Sequence, residues 1–158
     1  MTTTGARPVL VFAWGNPSRG DDALGPALLD MLETRQRETA GLDHVELLTD
    51  FQLQVEHALD LQGRERVLFV DASASAQAPY VLSALLPERD SSYTTHAMNP
   101  AAVLAVYEQI NDESPPPAFM LSIRGYEFGL GQPLSAKARG NLQDAFERVC
   151  EFLNNYPL

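Results

Sequence analysis

The chain has 158 residues and a mass of 17.3 kDa, the length of one domain with one core. Eleven Lys and Arg against 21 Asp and Glu leave a formal charge of −10 and a pI near 4.6. Such a balance argues against a nucleic-acid or anionic-membrane partner and suits a basic protein or a cationic ligand. Cys150 is the single cysteine, which excludes an internal disulfide and a thiolate zinc site within one chain and fits a reducing cytoplasm. Met1–Ala6 is short and polar, and the apolar run Val9–Trp14 is too short to cross a membrane, so a cytoplasmic protein without a targeting segment is expected.

In chain order, Val9–Ala13 is a continuous apolar run of strand formers, the pattern of a strand covered on both faces. Trp14-Gly15-Asn16-Pro17-Ser18-Arg19-Gly20 follows as a loop of turn residues. Leu24, Leu28, Met31 and Leu32 then recur at helical spacing, with Pro26 suited to a first turn, so a helix is predicted from Asp22–Gly25 to Arg35–Glu38. Val45–Thr49 reads as a strand, Phe51–Leu61 as a helix, and Arg66–Ala72 as a buried strand ending on the lone acid Asp71. Tyr80–Leu86 is a further strand between prolines. Asn99-Pro100 makes an N-cap and first position for a helix carrying Val103, Leu104, Tyr107 and Ile110. Phe119–Ile123 is the last strand, and Ser135 caps a final helix whose apolar face includes Leu142, Phe146 and Val149. This alternation predicts one α/β domain over residues 1–158. It should be a three-layer sandwich, with a mostly parallel twisted sheet of about five strands and helices on both faces.

In such sheets ligands gather beyond the carboxyl ends of the strands. There the sequence delivers Asp21 and Asp22 after the first strand, Asp71 at the end of the third, and His96 before the Asn99 helix. Two or three carboxylates and an imidazole form a plausible ligand set for Zn²⁺, Ni²⁺ or Fe²⁺. Each has a plainer role open to it: Asp22 as a helix cap, Asp71 as a turn former, His96 as an ordinary surface or core histidine. The Gly15–Gly20 loop lacks the lysine and spacing of a phosphate loop. Cys150 reads as inert packing, and His44 and His57 as solvated helix or loop residues.

Gly15-Asn16, then four residues, Asp21-Asp22, two residues and Gly25 resembles the G-N-x4-D-[DE]-x2-G signature of the hydrogenase maturation endopeptidases. The resemblance continues at Phe69-Val70-Asp71-Ala72, at Thr95-His96 before a helix, and at Leu134-Ser135, and so spans nearly the whole chain. It implies an endopeptidase that removes the C-terminal extension of a nickel–iron hydrogenase large-subunit precursor after nickel insertion. The family's catalytic and metal-binding positions fall on Asp22, Asp71 and His96, while Asp21 goes to loop and helix-start geometry. Nickel is expected to arrive with the precursor, and zinc or cadmium could stand in for it. The enzyme is expected to act as a monomer, with no nucleic acid or membrane involved. Many members carry Asp-Gly-Gly-Thr after the second strand, whereas this chain reads Thr49-Asp50-Phe51-Gln52-Leu53. That version resembles proteases serving bidirectional, NAD-linked hydrogenases, and a different loop surface there would select a different precursor. The alternatives are a non-proteolytic assembly chaperone for a metal-loaded partner, or an autonomous zinc hydrolase.

Overall fold

The computed structural model describes residues 7–89 and 98–155. Five strands, β1 (Val9–Trp14), β2 (Val45–Asp50), β3 (Arg66–Ser73), β4 (Tyr80–Leu85) and β5 (Ala118–Arg124), form one sheet in the order β2-β1-β3-β5-β4. The pairs β1–β2, β1–β3 and β3–β5 are parallel, and β4 runs antiparallel on β5 at one edge. Helices α1 (Leu24–Glu38), α2 (Pro100–Asn111) and α3 (Ala136–Asn154) cover both faces, as the α/β sandwich expectation requires.

Period-two alternation in β1 and β3 builds two separate cores. Val9, Val11, Ala13, Leu68 and Val70 point toward α1 and α3, against Leu24, Leu28, Leu142, Phe146 and Val149. Leu10, Phe12, Trp14, Val67 and Phe69 point the other way, against Val103, Leu104 and Tyr107 of α2 and Ala58 and Leu61 of a short 3-10 helix, Val55–Leu61. Strands buried on both faces need apolar residues at every position, which is why β1 shows no alternation in its sequence.

Local capping sets the helix starts as the sequence indicates. Asn99 Oδ1 accepts from Ala102 N–H at 2.8 Å, and Ser135 Oγ accepts from Ala138 N–H at 3.2 Å. Two expectations are corrected. The Phe51–Leu61 stretch is no α-helix: only Val55–Leu61 coils, as 3-10, and β2 extends to Asp50 just before it. His57 is not solvated. It is 9% exposed, with its ring edge-on to Phe12 at 4.4 Å. His44, half-buried, pairs its Nε2 with the Leu153 carbonyl oxygen at 3.2 Å. Cys150 is buried as expected, and burial pushes its thiol up from the ordinary value, which keeps it unreactive. No described helix is long and apolar enough to cross a membrane.

The chain leaves β1 toward β2 on one side and returns to β3 on the other. The order of connections therefore reverses at the β1/β3 crevice, and the carboxyl ends of these two strands form the switch point.

Candidate functional site

The loop after β1 turns back over the crevice and enters a 3-10 helix, Gly20–Ala23, which runs directly into α1. Gly15 sits at φ +145°, and a Cβ there would lie 2.1 Å from the Asp22 carbonyl oxygen. Gly25 lets the first turn of α1 settle on the strand ends, since a Cβ would fall 2.6 Å from the Trp14 carbonyl oxygen and 3.3 Å from that of Val70. Both glycines of the motif are thus required by close backbone approach, and together they set Asp22 at the mouth of the crevice.

Asp22 is half-buried and its Oδ2 accepts the Asn16 N–H at 2.7 Å, so the loop holds its carboxylate. Asp71 lies at the end of β3, half-buried, with Oδ1 accepting the Ala72 N–H at 2.8 Å. Burial pushes its carboxyl up to about 7, against the hydrogen bond from Ala72; the nearby Asp22 charge pushes it further up, and the hydrogen bond from the Trp14 side chain opposes. The two carboxyl groups therefore sense each other, and the structure brings Asp22 and Asp71 to one rim. A carboxyl that keeps its proton to near-neutral pH beside a second carboxylate can exchange a proton with a substrate, or release it when a cation arrives. His96 lies outside the described residues. Among the described residues no three His, Cys, Asp or Glu side chains come together as a metal-binding group.

Asp21, next to Asp22, does different work. It is fully buried and accepts four hydrogen bonds. Tyr126 N–H (2.8 Å), Glu127 N–H (3.0 Å) and Ser135 Oγ–H (2.7 Å) reach its Oδ2, and Ser135 N–H (2.7 Å) reaches its Oδ1. Burial raises its carboxyl, but these bonds from Ser135, Tyr126 and Glu127 outweigh it and hold the group below its ordinary value. Asp21 ties the loop after β1 to the segment preceding α3, the loop-and-helix-start role expected of it.

A groove of about 390 Å³ opens beside Gly15, between Pro17 and Pro26 on one side and Thr49 and Phe51 on the other. Asp50 is held at its edge, with Oδ1 taking the Phe51 N–H at 2.7 Å and Oδ2 facing His57 Nε2 at 3.2 Å. His57 Nδ1 accepts the Gln54 N–H at 2.8 Å, so its Nε2 is the protonated nitrogen that donates to Asp50. Phe51 is 70% exposed and Leu53 is buried. Thr49–Leu53 therefore places an aromatic ring in solvent beside the groove. Sequence reasoning missed this Asp50–His57 pair, whose only sequence signal is an acid and a histidine seven residues apart.

No family model and no curated protein matches the chain. Solved structures do. The chain is similar to the hydrogenase maturating endopeptidase HybD from E. coli, with a TM-score of 0.72 and 21% identity over 94% of this chain and 93% of that one. It is similar to a [NiFe] hydrogenase maturation protease HycI from Thermococcus kodakarensis KOD1, with a TM-score of 0.67 and 19% identity over 96% of each chain. A hydrogenase 2 maturation peptidase from Thaumarchaeota archaeon SCGC_AB-539-E09 matches with a TM-score of 0.64 and 22% identity over 92% of this chain and 97% of that one. At these identities the likeness establishes a shared fold along almost the full length.

Proposed function

We propose that this chain is an endopeptidase that removes the C-terminal extension of a nickel–iron hydrogenase large-subunit precursor once nickel has been inserted. The observation that carries the reading is the Asp22–Asp71 pair at the β1/β3 switch point, in a fold shared with maturation proteases. Oxygen donors joined by the imidazole of His96 suit a divalent nickel ion carried by the client. In this reading Asp71 gives up its proton as the client's cation approaches, while the Asn16 and Ala72 N–H groups keep the two carboxylates in fixed orientations. Docking in register places the scissile peptide at the rim, where positioning contributes to the rate. Water adds to the carbonyl carbon, the C–N bond breaks, and the proton ends on the leaving amine. The products are the shortened subunit and the freed extension.

The acidic balance of the chain, −10 overall, suits a basic client surface. The exposed Phe51 and the groove beside it support selection of the precursor by Thr49–Leu53, of the kind that serves a bidirectional NAD-linked hydrogenase. The protein acts in the cytoplasm as a monomer. The test is mass spectrometry of a large-subunit precursor, loaded with nickel or nickel-free, after incubation with the purified chain. Loss of the C-terminal segment from the loaded form alone is expected. An intact precursor held in a stable complex would replace the protease reading with that of an assembly chaperone. Cleavage of unrelated peptides by the zinc-loaded chain alone would replace it with that of an autonomous hydrolase.

A further inference from the structure

We infer that the groove beside Gly15 docks an arginine side chain of the client protein, its guanidinium held by Asp30 and Asp50 and stacked on Phe51. The inference rests on the proposed function and names the client chemistry that the groove reads. The groove has a volume of about 390 Å³, in the range of small-ligand sites, and its walls include Pro17, Pro26, Thr49 and Phe51. Two carboxylates join these walls. Asp30 stands one turn after Pro26 on α1, so the two share a face of that helix. Asp50 is the last residue of β2. The acids thus come from two different elements that flank the groove.

Neither carboxylate is neutralised. Among the described residues no Lys or Arg makes an ion pair with Asp30 or Asp50. His57 Nδ1 accepts the Gln54 N–H at 2.8 Å, so the ring faces Asp50 as a neutral Nε2–H donor at 3.2 Å. Bonds from His57 and the Phe51 N–H fix the Asp50 carboxylate, and each oxygen keeps a lone pair for a further donor. Charge and shape then select the occupant. A wholly apolar segment would desolvate two charges without pairing them. A metal ion lacks a third ligand, since no three His, Cys, Asp or Glu side chains come together among the described residues. A second copy of this chain would bring a further charge of −10. A guanidinium answers every part of the groove. Its N–H fork suits the carboxylates, its flat face suits the Phe51 ring, which is 70% exposed, and its aliphatic stem suits Pro17 and Pro26. A lysine ammonium is a compact, strongly hydrated charge without the flat face.

The probe is acetyl-leucyl-arginine amide, whose guanidinium is its only charge, titrated into the isotope-labelled chain by NMR. The amide resonances of Asp30, Thr49 and Phe51 should shift. The Kd should be about fivefold lower than for the uncharged citrulline peptide of the same shape. Asp30→Asn and Phe51→Ala should each weaken the arginine peptide about threefold at an unchanged thermal midpoint, because both side chains are exposed. On the client itself, Asp30→Lys should raise the Kd for nickel-free precursor about tenfold, and added salt should narrow that gap. Equal affinity for the arginine and citrulline peptides, or a precursor Kd within about twofold of native in Asp30→Lys, would overturn the docking role and leave the protease reading standing. A precursor that binds as described but is never cut when loaded with nickel would overturn the protease reading and leave the docking role standing.

Discussion

Asp21→Asn should destabilise the fold far more than the same change at its neighbour. The amide oxygen can replace Oδ2 and keep the donors from Tyr126, Glu127 and the Ser135 hydroxyl, but as weaker, neutral bonds. The amide NH2 then faces the Ser135 N–H, which loses its 2.7 Å acceptor and meets a donor. One lost charge-assisted bond, an unsatisfied buried donor pair and three weakened bonds, less the relief of burying no charge, come to about 2–4 kcal/mol. With a urea m-value of about 2 kcal/mol per molar, the unfolding midpoint should fall by roughly 1–2 M. Asp22→Asn keeps an acceptor for the Asn16 N–H and should cost under about 1 kcal/mol. The pH dependence has a definite sign. The Asp21 carboxyl lies below its ordinary value in the folded state, so its contribution is present at neutral pH and disappears as pH falls through that depressed value. The gap between the native chain and Asp21→Asn should therefore narrow from about pH 5 toward pH 3. Urea titrations across that range test both statements. A loss under about 1 kcal/mol at neutral pH, or a gap that does not narrow in acid, would refute the assignment of Asp21 as the tie between the two loops.

Asp71 titrates in the opposite sense. Its carboxyl is raised to about 7, so stability is highest below its ordinary value and is lost as pH rises through 7. Asp71→Asn should gain stability over the native chain between pH 4 and 7, with the gain levelling off above 7, while processing is lost; a pH-independent difference in thermal midpoint contradicts this. Gly25→Ala should cost several kcal/mol, about 3, because the added methyl collides with the Trp14 carbonyl oxygen of β1, which is backbone and cannot give way, and chemical denaturation measures it. Exchanging Phe51-Gln52-Leu53 for Gly-Gly-Thr should change which precursor is processed more than whether the chain folds, although removing the buried Leu53 lowers the midpoint. Unchanged selectivity in a cross-processing assay would dismiss the specificity role.

What was legible in the sequence was local or repetitive. Asn99 and Ser135 cap helices through bonds to residues three positions on, so their roles are written in adjacent residues. The burial of β1 and β3 on both faces shows as unbroken apolar runs, and Asp71 stands out because a charge directly follows one. The features that escaped depend on distant partners. Asp21 and Ser135 are separated by 114 positions, and no local pattern links them. His57 is buried because Phe12 of β1 packs on its ring, which its amphipathic surroundings in sequence do not reveal. The antiparallel direction of β4 follows from the short return after β3, which leaves no helix for a parallel crossover, yet its strand pattern resembles that of its neighbours.

The central claim is that the carboxyl pair at the β1/β3 switch point performs peptide hydrolysis on a nickel-bearing client. Its most direct test is a time course of C-terminal processing by intact-mass spectrometry, with native, Asp22→Asn and Asp71→Asn chains on the same nickel-loaded large-subunit precursor. The account predicts a shortened subunit with the native chain and an unchanged mass with both variants, each still folded by circular dichroism. A shortened subunit from both variants at the native rate would contradict it.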